Sequence, residues 1–378
     1  MQIVQVRLPA SRQRYEIKIC AGLLSSLGRE ARNSLGAGAG RVALVSNPTV
    51  FEIYGKRALG ALRRSGFQVS SWLMKEGERY KSLRCLEQIL SFLSQAGFER
   101  SDAIVALGGG VVGDLAGFAA AVYLRGVPFV QVPTTLLAQI DSSVGGKTAV
   151  NLPAGKNLVG AFHQPRLVLI DTNTLLTLPS RELTAGWCEA VKQGAIGGLR
   201  LFNQTKQSVK LSLEDKKSQT QVSGTIAAHC RFKASVVAGD ERESVERKDA
   251  RSRKILNFGH TTAHALEKVT NYRRFRHGEA VGYGVLVAGE ISKSLGMLPF
   301  DELESLREAV RLCGPLPPAD DLAPDQILKA MASDKKSVAG APRWILLERI
   351  GEPQIVHGND IPSRIIRSSL RTGLRPLN

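Results

Sequence analysis

Half of the chain's six histidines fall between positions 260 and 277. His260 and His264 sit four apart in "LNFGHTTAHALE", a stretch patterned as a helix, so both rings share one helix face. His277 follows in "HGEAVGYG", beside Glu279. Neutral imidazoles in such an arrangement suit a divalent transition metal, with a carboxylate as a further ligand. The metalloprotease pattern H-E-x-x-H is absent, because Thr261 stands where its glutamate belongs. Glu189, in the helical "RELTAGWCEAVKQGAI", is the candidate third ligand, since its surroundings are apolar and a lone carboxylate there is costly without a cation. Spacing favours His260 and His264 as the metal pair and ranks the groups no further, and it also admits hydrogen-bonded core histidines. The five cysteines are scattered and form no C-x-x-C pair, which argues against a thiolate zinc site and a disulfide framework. Any metal is therefore expected on nitrogen and oxygen.

Two further stretches suit anions. In "AIVALGGGVVGDLAGFAAAVYL", Gly108, Gly110 and Gly113 fit G-x-G-x-x-G, which brings backbone amides against a pyrophosphate at a helix N-terminus. The template is imperfect: the strand is not the first in the chain, and no acidic residue lies about twenty positions on. A tight strand-to-helix turn is the plainer alternative. "PTTLLAQIDSSVGGKTAVNLPAGKNLVGAF" packs Thr134, Thr135, Asp141, Ser142, Ser143, Lys147, Lys156 and Asn157 among glycines. Lysines on glycine-rich loops with hydroxyls nearby suit phosphate or carboxylate oxygens. It is not a Walker A loop, because Asp141 stands where the first glycine belongs.

These groups must be positioned by an α/β framework. "RVALVSN" (41–47), "DAIVALGGG" (102–110), "PFVQVPTT" (128–135) and "RLVLIDT" (166–172) each read as a buried strand ending in a polar or glycine-rich loop. Helical patterns such as 82–98 lie between some of them, which predicts a Rossmann-like parallel sheet with ligands at the carboxyl ends of its strands. After residue 178 the texture becomes helical, over 182–196, 219–238, 260–270 and 301–312, with only 341–351 and 353–358 extended. We expect an α/β domain over 1–178 and a mainly α-helical domain over 179–378, with substrate in the cleft between them.

Composition narrows the partners. At 378 residues and 43% hydrophobic, the chain can bury one large core or two ordinary ones. Its opening residues alternate like strands rather than a signal peptide, and no apolar run is long enough to span a bilayer, so no membrane partner and a cytoplasmic location are expected. The net charge of +17 raises nucleic acid as a partner. The basic residues, however, are dispersed among acids and not interleaved with aromatics, which make up 6% of the chain. Arg364, Arg367, Arg371 and Arg375 fall at helical spacing beside Ile366, Leu370 and Leu374, which reads as the solvated face of a terminal helix. The excess suits small anionic substrates instead.

Taken together, "GGGVVGDLAGFAA", "RGVPFVQVPTTLLAQIDSSVGGKTAVNLPAGKNLVGAFHQP", "RELTAGWCEAVK", "LNFGHTTAHALE" and "HGEAVGYG" resemble the 3-dehydroquinate synthases, over about residues 41–348 and in the family's order. The resemblance implies one NAD+ and one divalent metal, Zn2+ with Co2+ able to substitute. The phosphorylated sugar acid 3-deoxy-D-arabino-heptulosonate 7-phosphate is then converted to 3-dehydroquinate and phosphate by transient oxidation, phosphate elimination, reduction and intramolecular aldol closure. It makes Glu189, His260 and His277 the metal ligands, and so replaces the spacing-based pair, leaving His264 on the substrate side. It assigns to NAD+ the stretch Glu76, Gly77, Glu78, Arg79, Tyr80 and Lys81, the turn Gly110, Val111, Val112, Gly113 and Asp114, and Asn47. Thr134, Thr135, Lys147, Lys156, Asn157, Thr174, Leu175, Leu176 and Thr177 complete the implied cofactor set. It places Asp141, Lys147, Lys192, Lys233, Arg253, Asn257, His264, Lys335 and Lys336 about the substrate, with Arg125 reaching the phosphate from a second copy in a homodimer.

The chain departs from the family's usual pattern at Thr262 and Ala263, where Phe-Gly is common. It also departs in the longer "VERKDARSRK" ahead of Asn257, and in "SNPTV", where Asn47 is the clear ribose candidate. Sister sugar-phosphate cyclases share the NAD and metal sites. Metal-dependent polyol dehydrogenases are more distant alternatives that lack the "DSSVGGKT" loop.

Overall fold

The computed structural model describes residues 14–244, 246–247, 249, 252–332 and 343–376. The chain enters through β1 (Glu16–Cys20), α1 (Leu27–Leu35) and β2 (Arg41–Ser46). The short α2 (Pro48–Val50) then runs through a π-helical stretch, Phe51–Gly55, into α3 (Lys56–Arg64). Next come β3 (Gln68–Leu73), α4 (Leu83–Gln95), β4 (Ala103–Gly108), α5 (Gly110–Val122) and β5 (Phe129–Pro133). A hairpin of β6 (Lys147–Leu152) and β7 (Gly155–Phe162) precedes β8 (Leu167–Asp171).

Six of these strands form one parallel sheet in the order β1-β8-β5-β4-β2-β3. β4, β5 and β8 are buried at every position, which is why the sequence shows them as unbroken apolar runs. β1 and β3 lie at the sheet's edges and read more weakly. Asp171 closes the first edge: its carboxylate accepts from the backbone N–H groups of Gly22 (2.7 Å) and Leu24 (2.8 Å).

Past a 3-10 turn at Thr172–Thr177 the structure is helical: α6 (Ser180–Gly197), α7 (Leu199–Val209), α8 (Lys216–Gly239), α9 (His260–Val269), α10 (His277–Ser294), α11 (Phe300–Leu312) and α12 (Pro324–Ala332). A β9 (Arg343–Arg349) and β10 (Glu352–His357) hairpin and α13 (Ser363–Gly373) follow. The four long helical segments, both late extended segments and the terminal amphipathic helix thus lie where the sequence puts them. In α13, Ile366 and Leu370 are buried, as is Leu374 just past its end, and Arg367 pairs with Asp325 at 2.9 Å. The sequence reading of 147–162 as glycine-rich loops is corrected: it is an antiparallel ladder, Lys147 opposite Phe162 and Val150 opposite Val159. Gly160 allows that ladder to close, since a Cβ there would lie 2.1 Å from the Thr148 carbonyl oxygen. One apolar core joins Leu136, Ile140 and Val168 from the first half to Trp187, Phe258 and Val281 from the second. No helix among the described residues is long and apolar enough to cross a membrane.

Candidate active site

α6, α9 and α10 bring the metal candidates together, and small residues let them meet. In α10, a Cβ on Gly278 would lie 1.9 Å from the Ala185 carbonyl oxygen of α6, and one on Gly284 1.9 Å from that of Gly259, which caps α9. Backbones that close carry Glu189, His260 and His277 into one cluster. The Glu189 Oε1 lies 3.4 Å from His277 Nε2 and 3.8 Å from His260 Nε2. A tetrahedral zinc ion with ligands at about 2.0–2.2 Å spaces its donors about 3.3–3.6 Å apart, so the Glu189–His277 spacing falls within that range and the Glu189–His260 spacing is a few tenths of an ångström wider. Glu189 is 1% exposed, and its Oε2 stands 2.7 Å from Lys192 Nζ, within ion-pair range but outside hydrogen-bond geometry. The other oxygen of this buried carboxylate, Oε1, faces the two imidazoles, an arrangement that fits a cation between them. The His264 ring stacks on His277 with centroids 6.0 Å apart and meets His260 edge-on at 5.5 Å.

Beside this cluster, the π-helical turn Ala138–Ser142 presents Asp141 to two helices. Its Oδ1 accepts from Lys233 Nζ of α8 and from Gln193 Nε2 of α6, each at 2.8 Å. Burial opposes ionisation of Asp141, but Lys233 and Lys192 hold its carboxyl well below the usual carboxylate range. Burial lowers Lys233 in spite of Asp141, whereas for Lys192 burial is outweighed by Glu189 and Asp141, and its pKa is raised. Gln193 in turn meets the buried His229, whose Nδ1 is 3.1 Å from Gln193 Oε1 and whose Nε2 is 3.0 Å from Thr205 Oγ1.

α5 begins at Gly110, where its first amides have no partner within the helix. A Cβ on Gly113 would lie 2.7 Å from Gln131 Oε1, and one on Gly110 3.0 Å from Ser142 Oγ, so Val111 and Val112 start the helix on a closely packed surface. Asp114 bonds Lys81 Nζ at 2.8 Å, and the same nitrogen reaches Asn157 Oδ1 at 2.5 Å and Glu78 Oε1 at 3.5 Å. Asn151 donates to Glu78 Oε1 at 2.8 Å. Burial would lower Lys81, but Asp114 and Glu78 keep it raised and charged. The turn holding Glu76, Gly77, Arg79 and Tyr80 is tied down by Thr49, which donates to Glu76, while Arg79 lies over the Tyr80 ring at 4.8 Å. Asn47 caps α2 by accepting from Val50 N at 2.9 Å.

Of the remaining candidates, Thr134 is buried, and Thr135 accepts from Ala138 N at 3.2 Å. Thr174 binds Gln139, Thr177 meets the Tyr54 hydroxyl, Leu175 is buried in the core and Leu176 is exposed. Lys147 pairs with Glu243, which also accepts from Asn257 Nδ2 at 3.3 Å. Arg253 is 2% exposed and donates to the carbonyls of Gly145 (3.0 Å) and Glu241 (2.7 Å), so it fastens the turn ahead of β6. Lys156 pairs with Glu267 at 2.9 Å. Arg125 follows α5, whose thirteen residues span about 20 Å from the glycine turn, so it is not among the convergent groups. Lys335 and Lys336 lie outside the described residues. Sequence reasoning missed Glu243, Gln193, Asn151 and Glu267; only Glu267 left a signal, three residues after His264 on the same helix face.

Comparison with known proteins closes the picture. The model for the 3-dehydroquinate synthase N-terminal region matches residues 71–185, and that for the C-terminal region matches 186–337. A 3-dehydroquinate synthase of Nostoc punctiforme is 44% identical over 373 residues, 98% of this chain and 99% of that one. Among solved structures, ValA, a 2-epi-5-epi-valiolone synthase of Streptomyces hygroscopicus with NAD+ and Zn2+ bound, superposes with a TM-score of 0.84. It is 26% identical, covering 97% of this chain and 99% of its own. A 2-deoxy-scyllo-inosose synthase with carbaglucose-6-phosphate, NAD+ and Co2+ gives a TM-score of 0.79 at 26% identity, covering 96% and 98%.

Proposed function

The chain belongs to the 3-dehydroquinate synthase family, and from that premise we propose that it converts 3-deoxy-D-arabino-heptulosonate 7-phosphate into 3-dehydroquinate and phosphate. The observation that carries the reading is a buried carboxylate and two imidazoles at metal-donor spacing, next to an Asp141 flanked by two buried lysines. When bound, NAD+ supplies reversible acceptance of an electron pair from the substrate, and the divalent ion supplies polarisation of its hydroxyls.

The chain's own residues do the rest. Glu189, His260 and His277 hold the ion. The amides of Gly110–Asp114 take the pyrophosphate, with the cluster of Glu78, Lys81 and Asn157 at one end and Thr134, Thr135, Lys156, Thr174 and Thr177 lining the remainder. Lys192 and Lys233 offset the carboxylate and phosphate charge of the substrate, and Asp141 holds Lys233 in place. Lys147 and Asn257 contribute further donors once Glu243 yields them, and Arg253 keeps the loop before β6 in register. His264, beside both metal-ligand rings, carries a proton to or from the substrate. Lys335 and Lys336 complete the substrate set. We assign cofactor binding to residues 1–178 and metal and substrate binding to 179–378.

By resemblance to its family, Arg125 serves the phosphate site of a second copy in a homodimer, and its place beyond α5 agrees with a role outside its own subunit's site. Five free cysteines suit the reducing cytoplasm. The test is phosphate release from the heptulosonate phosphate by purified protein with NAD+ and Zn2+, beside a chelated sample and Glu189→Ala. Release that vanishes in both controls, with dehydroquinate as product, supports the reading. Activity on sedoheptulose 7-phosphate alone moves the chain to a sister cyclase, the second reading favoured by the two solved cyclases it superposes on.

A further inference from the structure

Glu267 lies on α9, 2% exposed, and plays no part in the ligand set. Its two oxygens go to different partners: Oε1 accepts from Lys156 Nζ at 2.9 Å, and Oε2 lies 3.4 Å from His277 Nδ1. The other nitrogen of that ring, Nε2, faces Glu189. An imidazole that binds a metal through Nε2 carries its proton on Nδ1, and a carboxylate facing Nδ1 fixes both that tautomer and the plane of the ring. Lys156 and the turn after α9 are fixed in their own right. Lys156 sits over the Tyr272 ring at 4.7 Å, Tyr272 N donates to the Glu267 carbonyl at 2.7 Å, and Tyr272 has the unusual φ of 56°.

We propose that Glu267 is a positioning residue, which orients His277 for the metal and ties that ligand to Lys156 on the β6–β7 hairpin. The proposal rests on the reading of Glu189, His260 and His277 as the metal site. His264, Glu267 and His277 also come within 4.8 Å of one another. A cation among them would have to take the His277 nitrogen and the Glu267 oxygens that already have partners.

The test uses Co2+ added to metal-free protein, read by titration calorimetry and by the visible absorption bands of the bound ion. The isosteric Glu267→Gln keeps the shape and removes the charge, and Glu267→Asp keeps the charge and withdraws it by one methylene. Melting of the metal-free proteins checks the fold. Both variants are expected to bind Co2+ about 10–100-fold more weakly than the parent, with shifted bands and an unchanged metal-free melting temperature. Glu189→Ala runs beside them. If it loses Co2+ while Glu267→Gln binds like the parent, the positioning role is wrong. If Glu189→Ala itself binds like the parent, the metal-site reading falls first. Loss of binding only in the Glu267 variants would move the ion to the second trio and overturn the proposal.

Discussion

His229 shows what a single enclosed side chain costs and what it holds. It is fully buried between Gln193 and Thr205, and burial, with the nearby Lys192, lowers its pKa to about 3, Asp141 opposing. The unfolded chain binds a proton at this residue below about pH 6.5 and the native one does not, so stability falls as pH drops from 6.5 towards 3. Between pH 6.5 and 5 the native state is expected to lose about 2 kcal/mol through this residue alone. Urea unfolding of the parent and of His229→Gln across that range checks this: the variant's curve is flatter by that amount, and identical slopes would contradict it. Little of the arrangement could be read from sequence. Glu189 stood out because a carboxylate in apolar company asks for a cation, and the histidines because three gathered within one stretch. Gln193 and His229 look like ordinary helical residues. Their roles come from side chains that meet across 36 positions of chain, which no local pattern encodes.

At the scale of elements, glycines decide how closely the ligand-bearing helices approach. α10 places His277 only because Gly278 lets it rest on the Ala185 carbonyl of α6. Gly278→Ala must push the two helices apart, and we expect a loss of about 1–3 kcal/mol of stability together with weakened Co2+ binding. Thermal unfolding and metal titration measure the two effects, and a stable variant with parental affinity would show that the contact relaxes at no cost. The elements themselves were mostly legible, since buried strands and amphipathic helices leave strong periodic signals. The β6–β7 hairpin was not, because its alternation is interrupted by glycines and lysines, which read as a loop.

At the scale of the whole molecule, the +17 charge and the remote Arg125 lead to two measurements. A positive field draws in a phosphorylated, carboxylated substrate, so kcat/KM should fall several-fold as salt rises from about 0.02 to 0.5 M while kcat changes little. A flat profile would assign the charge no part in capture. If Arg125 serves the partner's site, mixing Arg125→Ala with Glu189→Ala subunits should restore up to about a quarter of parental activity. Random reassortment makes half of the dimers mixed, and each of those has one complete site. No recovery would place Arg125 in its own subunit's site, and full activity of Arg125→Ala alone would place it outside the chemistry. Sheet order lay beyond sequence reading, because neighbours such as β1 and β8 are brought together only by the closed fold.

That pairing also has a consequence for the chain's synthesis. Gly22, just after β1, bonds to Asp171, 149 positions later. At about 5–20 residues per second, the ribosome needs about 7–30 s to deliver the second partner after the first. Through that interval β1 has no strand to lie against, so the nascent chain offers an open edge to chaperones and to neighbouring polysomes until Asp171 leaves the exit tunnel.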